Sequence, residues 1–228
     1  MKPIKATTHD TDALIELGRA SVQVVHDLKN QINGLKLYAT FLRKRMEKAE
    51  RPSDELETIN KIMAGLERAA ADMQTLVRLG RPLELHRQPH LDLAQLLTSA
   101  TEGDFPAAAA HENGAYKGDF DPALLADALK NIHAGAHALA GRDASVQINL
   151  RREDGDASSP TTKTPSALIE WRGVKASGDG DDGDAFNNFQ GGTGLRLALA
   201  AKIIHAHDGA VEQASDALRV RLPLRSDE

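Results

Sequence analysis

Apolar and small residues recur along the first third of the chain in two interleaved sets. One runs Leu14, Ser21, Leu28, Leu35 and Leu42; the other runs Gly18, Val25, Ile32 and Ala39. The alternating three- and four-residue steps predict a helix with an a/d seam about four heptads long. Asp10 or Thr11 is the expected N-cap. A second seam follows at Ile59, Leu66 and Met73, widened by Ile62/Met63, Ala69/Ala70 and Leu76/Val77. Between the two lies Arg51-Pro52-Ser53-Asp54. Pro52 prevents the first helix from running on, and Ser53 is placed to cap the second. Two long helices with a short connection make an antiparallel hairpin. A hairpin with so broad an apolar face cannot bury it alone. The face could dock the second half of the same chain, but the seam is longer than one small domain could cover, so a symmetric dimer forming a four-helix bundle is expected.

The period changes after Gly80-Arg81-Pro82, which ends the second helix and marks a hinge. Leu91-Asp92-Leu93 leads into a helix through about Ser99, and a polar stretch of weak strand character reaches Phe120. Asp121-Pro122 opens a helix to about Ala140, with proline in its first turn. Residues 145–150 and 166–171 alternate like strands, and residues 152–165 read as a mobile hairpin loop. Residues 176–184 are Gly/Asp-rich loop, Thr193–Ala206 is helix, and Ala210–Ala214 with Ala217–Leu222 form a closing hairpin. The expected class is α+β: a helical hairpin over residues 1–80, then an α/β sandwich over residues 81–228.

Composition narrows the chemistry. The 228 residues are 41% hydrophobic but only 4% aromatic, so the cores must be built from Leu, Ala, Val and Ile. A net charge of −5 argues against a general nucleic-acid binder. The absence of cysteine excludes disulfides, thiolate catalysis and Cys-based metal sites. No apolar run approaches the ~20 residues needed to cross a bilayer. The first five residues have no apolar stretch behind them and do not read as a secretory signal, so a cytoplasmic protein is expected.

Against that background the segment His26-Asp27-Leu28-Lys29-Asn30 stands out. Four residues is just over one helical turn, so His26 and Asn30 share a face, with Asp27 beside the ring. A histidine next to an acid that can take its proton is a workable nucleophile toward phosphorus. It follows the seam residue Val25, which places it on the flank of the seam. A second feature is Gly191-Gly192-Thr193-Gly194 at the head of a helix. Backbone N–H groups there can approach phosphate, although a tight turn needs the same residues.

These segments, taken in order, resemble the core of a two-component histidine kinase. His26 to Asn30 resembles the H-box, with His26 as phosphoacceptor, Asp27 as the acid that polarises it and Asn30 as the polar partner one turn on. Asp121 through Asn131 resembles the approach to the N-box of an ATP-binding domain. Ala185-Phe186-Asn187-Asn188-Phe189 resembles the F-box. Gly191 to Leu195, continuing to His207-Asp208-Gly209, resembles the G2 box and its helix. The resemblance spans nearly everything from residue 10 onward, and it implies Asn131, Gly191, Gly192, Thr193 and Gly194 as nucleotide contacts.

The same resemblance shows departures. Gly135 stands where the family's second N-box Asn holds Mg²⁺, and glycine offers no ligand. Trp171 replaces the Asp that accepts from adenine, and indole is a donor only. Gly173 matches the first glycine of that box, but Lys175 replaces the second, and Arg196 replaces a glycine of the G2 box. Asp179, Asp181, Asp182 and Asp184 would repel a triphosphate, and almost no lid separates Phe189 from Gly191. The pattern is similar to phosphorelay histidine phosphotransferases, which pair a dimerisation bundle with a degenerate ATPase-like domain. The expected activity is reversible phosphoryl exchange between His26 and receiver-domain aspartates of response regulators. The receiver supplies Mg²⁺, this chain needs no cofactor of its own, and input comes from another chain or the short N-terminal tail. The alternatives are a divergent kinase that still uses ATP, and a non-catalytic adaptor that docks receivers.

Overall fold

The structure, a computed structural model, describes residues 8–47, 53–102, 108–111, 114–141, 145–153, 165–174, 184–187, 189 and 191–225; of these, the side chains of residues 8–24, 26, 27, 53 and 108–111 are left undescribed. The chain divides into two compact units, Met1–Pro82 and Leu83–Glu228.

The first unit is the expected hairpin of α1 (Thr8–Glu47) and α2 (Ser53–Gly80). α1 begins upstream of both expected caps, because neither proline nor glycine interrupts Thr8 to Thr11. Ser53 is the first residue of α2 itself. Lys44 and Arg45 in the last turn of α1, and Asp54 and Glu55 in the first turn of α2, complement the two helix dipoles. Lys36 reaches across to Glu67 at 2.9 Å. Both partners are about half exposed, so the pair adds at most about 1 kcal/mol. Apolar packing must hold the hairpin, and it does so on one side only. Ile59 is buried and Val25, Ile32 and Ala39 are half-buried. Leu28, Leu35 and Leu42 stay 41%, 54% and 51% exposed.

The second unit is a layered α+β fold. β1 (Gln88–Asp92) pairs antiparallel with β3 (Lys117–Phe120). The main sheet contains β2 (Ala108–His111), β4 (Gln147–Glu153), β5 (Ser166–Arg172), β6 (Ala210–Gln213) and β7 (Ala217–Pro223). Its order is β2-β4-β5-β7-β6, parallel between β2 and β4 and antiparallel elsewhere. The helices are α3 (Leu93–Thr101), α4 (Pro122–Ala140) and α5 (Gly191–Ala206). Asp92 and Asp121 cap α3 and α4, each carboxylate accepting two backbone N–H groups from the first turn of its own helix. The expected loops at 152–165 and 176–184 fall largely on residues outside those described. α5 starts at Gly191, two residues before the sequence pattern placed it.

α4 packs on β5 and β7 and lies between α3 and α5. Ile148, Leu150, Ile169, Trp171, Leu218 and Val220 form one sheet face and are wholly buried. The opposite face carries an ion-pair lattice. Glu170 is buried yet bonded by Arg219 at 2.7 Å and Arg172 at 2.9 Å. Burial alone would raise its pKa, but the two guanidinium groups outweigh that and hold it below the usual value. Simple alternation predicted a half-exposed β5. Residues 167–171 are all buried because β5 is the central strand and its outward acid is covered by arginines.

Candidate functional site

Residues 26–30 are helical, within the middle of α1. That is the backbone geometry the His26–Asn30 pairing requires. The side chains of His26 and Asp27 lie outside those described, while Asn30 is exposed. Further along α1, Leu37, Tyr38 and Phe41 project to solvent at 54%, 71% and 61% exposure. A helix turns 100° per residue. Asn30, Gly34, Leu37 and Phe41 therefore follow His26 down one face, and Tyr38 lies at its edge. Three large exposed apolar side chains beside polar Asn30 and basic Lys44 and Arg45 make a built surface, distinct from the Leu28/Leu35/Leu42 stripe. Sequence periodicity missed it, because Leu37, Tyr38 and Phe41 fall outside the heptad positions.

In the second unit α4 packs on α5, and Gly135 of α4 is set against Leu197 of α5. Asn131 is half-buried on α4, and Gly135 lies one turn on, fully buried. An added Cβ at Gly135 would stand 2.6 Å from Leu197 Cδ2 and 2.9 Å from its Cγ. Leu197, on α5, thus fills the space that a side chain at 135 would need. Sequence reading identified Gly135 but not Leu197, since only the packing of α4 on α5 reveals it. Gly191 has φ +65, and Gly192 to Gly194 are helical, so the glycine run does open a helix. Arg196 is exposed, and its Nε donates to Gly192 O at 3.0 Å, inside the first turn.

Trp171 is at register with Ile148 on β4 and Leu218 on β7, and its exposure is 0%. Its indole N–H is buried with no acceptor among the described residues. Gly173, at φ +91, turns the chain directly after β5. Phe186 is buried while Phe189 is 58% exposed, immediately before α5. Asp184, one of the acids of the Asp-rich run, also has a local structural use. Its carboxylate accepts from Phe186 N–H at 3.2 Å and from Asn187 Nδ2 at 2.9 Å, closing a turn. Lys175, Asp179, Asp181 and Asp182 lie outside the described residues. Among those described, no cluster of three metal-ligating side chains occurs, and no helix is long and apolar enough to cross a membrane.

No family model matches the chain. A sensor histidine kinase, ZraS of Klebsiella oxytoca, is 24% identical over 232 aligned residues. The alignment covers 94% of this chain but 46% of that protein, so the chain spans about half the length of this curated relative. Full-length ShkA, solved in complex with AMPPNP, superposes with a TM-score of 0.61 at 17% identity, over 90% of this chain and 45% of that one. Histidine kinase ThkA, solved in complex with the response regulator protein TrrA, gives 0.57 at 13% identity over 97% and 68%. Histidine kinase AdeS of Acinetobacter baumannii gives 0.53 at 15% identity over 88% and 98%. A helical hairpin followed by a mixed sheet layered with helices, in this order and at these lengths, is the fold of a histidine kinase core.

Proposed function

We propose that this chain is a two-component signalling protein that carries a phosphoryl group on His26 and exchanges it with receiver-domain aspartates, without loading itself from ATP. One observation carries the second half of that reading. Trp171 and Gly135 stand where the resemblance puts the adenine acceptor and a metal-ligating Asn; Trp171 is wholly buried, and Leu197 fills the space beside Gly135. The residues present do not fit Mg-ATP. A buried indole N–H meets the adenine amino group donor to donor. Gly135 supplies no oxygen for a hard cation.

The transfer step balances without a cofactor in this chain. A ring nitrogen of His26 attacks phosphorus of the receiver's acyl phosphate. The P–O bond to the aspartate breaks, the carboxylate leaves with the electron pair, and an N–P bond forms. Asp27 stabilises the positive charge that develops on the ring or accepts the proton from the other ring nitrogen. Mg²⁺ bound at the receiver neutralises the phosphoryl oxygens. Incubating the protein with phosphorylated receivers, with labelled ATP as the parallel arm, tests the reading. Label arriving on His26 from receivers and not from ATP is the expected result. A rival is favoured by a specific feature: Gly191 to Gly194 still open a helix, with Asn131 on the neighbouring α4. That arrangement suits a divergent kinase, and autophosphorylation from ATP would establish it.

The bundle is expected to be a homodimer. The uncovered Leu28/Leu35/Leu42 stripe runs into an open cavity of about 300 Å³, where Leu42, Met46 and Ile59 meet Asp54, Glu55 and Thr58. A second copy would cover both. Leu28→Asp and Leu66→Asp should each dissociate or unfold the bundle, because each buries an unpaired charge at a cost of about 3–5 kcal/mol. Light scattering on the unaltered chain should give twice the chain mass. A monomer at micromolar concentration overturns the dimer.

The Leu37/Tyr38/Phe41 face is the proposed seat of the receiver. Tyr38→Glu and Phe41→Glu should each lower the rate of transfer about tenfold or more, since exposed aromatic anchors typically carry 1–2 kcal/mol of binding. Dimer mass and helicity should stay unchanged. Equal transfer rates in all three proteins would remove this face from the encounter.

A further inference from the structure

The segment that leads into the second unit is clipped to the ends of two helices, and a buried histidine completes the clip. His86 N–H donates to Asp121 Oδ2 at 2.8 Å. Asp121 Oδ1 accepts from Ala123 and Leu124 N–H, both at 3.0 Å, as the N-cap of α4. Arg87 reaches the other way, donating to Ala206 O at 2.8 Å and Asp208 Oδ2 at 2.7 Å, just past α5. Between these two anchors lies the ring of His207, 1% exposed and 6.1 Å centroid to centroid from Phe120. Its Nε2 accepts from Asp121 N–H at 3.0 Å, and its Nδ1 lies 2.8 Å from Ile203 O. A carbonyl only accepts, so Nδ1 carries the proton and Nε2 is bare. Both ring nitrogens are committed to one neutral tautomer.

We propose that residues 84–87 form a proton-gated strap, which neutral His207 holds closed and imidazolium His207 releases. A second proton, taken from solvent onto Nε2, would face the Asp121 N–H donor to donor. The Asp121 N–H···Nε2 bond breaks. Asp121 then either shifts away or turns its carboxylate to the new N–H, and either movement takes Oδ2 from His86 N–H. The charged groups facing the ring are Arg87 on the strap, Asp121 at the head of α4 and Asp208 after α5.

The sign follows from those surroundings. Burial is the largest influence and, with the Arg87 charge, keeps His207 below its ordinary 6.5, against the pull of Ile203 O, Asp121 and Asp208. The folded value is depressed, so this contribution is present above 6.5 and is lost as pH falls through the folded value. Asp121 stays ionised through that window. Burial would raise its pKa, but the backbone donors Leu124, His86 and Ala123, with His207, outweigh burial and hold it below the usual carboxylate value.

Backbone amide exchange on the full chain, read by NMR alongside the His207 ring shifts, tests the strap. Protection of the His86 amide, corrected for intrinsic exchange, should fall about tenfold, the loss of one hydrogen bond, with the same midpoint as His207. Arg87→Ala removes a charge that opposes protonation and should move that midpoint to higher pH. His207→Gln places a non-titrating acceptor near Asp121 N–H and should abolish the pH dependence. Two results overturn the proposal. One is His86 protection that persists while His207 ionises. The other is strap release at an unchanged pH in both Arg87→Ala and His207→Gln. If His207→Gln fails to fold, the exposed Arg87→Ala and the matched midpoints of the unaltered chain decide the question.

Discussion

His26→Ala is expected to abolish phosphoryl transfer in both directions while leaving the helical hairpin folded. The nucleophile is the one group whose loss cannot be shared among neighbours, because no N–P bond can form without a ring nitrogen. His26 follows the seam residue Val25 and lies about 170° around α1 from the mean of Leu28 and Leu35, by the 100° turn per residue. Alanine is also the best helix former, so α1 should keep its length. The readout is label on the protein after exposure to a phosphorylated receiver, followed by acid and alkali treatment. A phosphoramidate on histidine survives alkali and is lost in acid, whereas an acyl phosphate is lost in alkali. Acid-labile, alkali-stable label on His26→Ala would show that another histidine is the acceptor. Asp27→Asn should retain label but slow transfer about 10²-fold, the range of a lost acid–base partner. Circular dichroism and dimer mass should match the unaltered chain in both variants.

How far this was legible from sequence depends on which physical signal each feature leaves. Seam periodicity located both hairpin helices, because an a/d pattern repeated over many turns outweighs any local ambiguity. Asp121-Pro122 marked the start of α4 and Asp92 the start of α3, because an acid ahead of a helix has one local use, accepting orphan N–H groups. Gly191 marked the start of α5 less well, since glycine fits both a turn and a first helical turn. Features made by contact between elements distant in sequence left no local trace. Leu197 reads as one more core leucine until α5 packs on α4 and sets it against Gly135. Glu170 reads as the polar half of an alternating strand until Arg172 and Arg219 close over it. The strap combines a backbone N–H, a cap and a helix-end carbonyl from three separate stretches, and no composition rule finds such a set. Asp184 shows the same limit: an acidic run is legible as charge, but the turn its carboxylate closes with Phe186 N–H and Asn187 Nδ2 is not.

Mg-ATP should bind this chain in the millimolar range or weaker. Recognition of a base by a dedicated acceptor is worth several kcal/mol, because the mismatched partner leaves a buried polar group unpaired. On the proposed reading the acceptor's place is taken by a donor, Trp171, that is itself wholly buried. The same reading puts Gly135 where a metal ligand would be, which removes a second contribution. At about 1.4 kcal/mol per tenfold, two such losses take a micromolar site to millimolar or beyond. The packing also makes the state hard to reverse. Trp171→Asp would put a carboxylate among Ile148 and Leu218 and should cost about 3–5 kcal/mol, seen as a lowered melting temperature. Gly135→Asn would drive its Cβ to 2.6 Å from Leu197 Cδ2, an overpacking cost of about 1–3 kcal/mol. Neither single variant should gain nucleotide affinity, since each restores one contact and leaves the other missing. Calorimetry with Mg-ATP on the unaltered chain and on both variants reads all three outcomes. A low-micromolar dissociation constant for the unaltered chain would overturn the phosphotransferase reading. It would instead favour a divergent kinase, with Asn131 and Gly191 to Gly194 as the surviving nucleotide contacts.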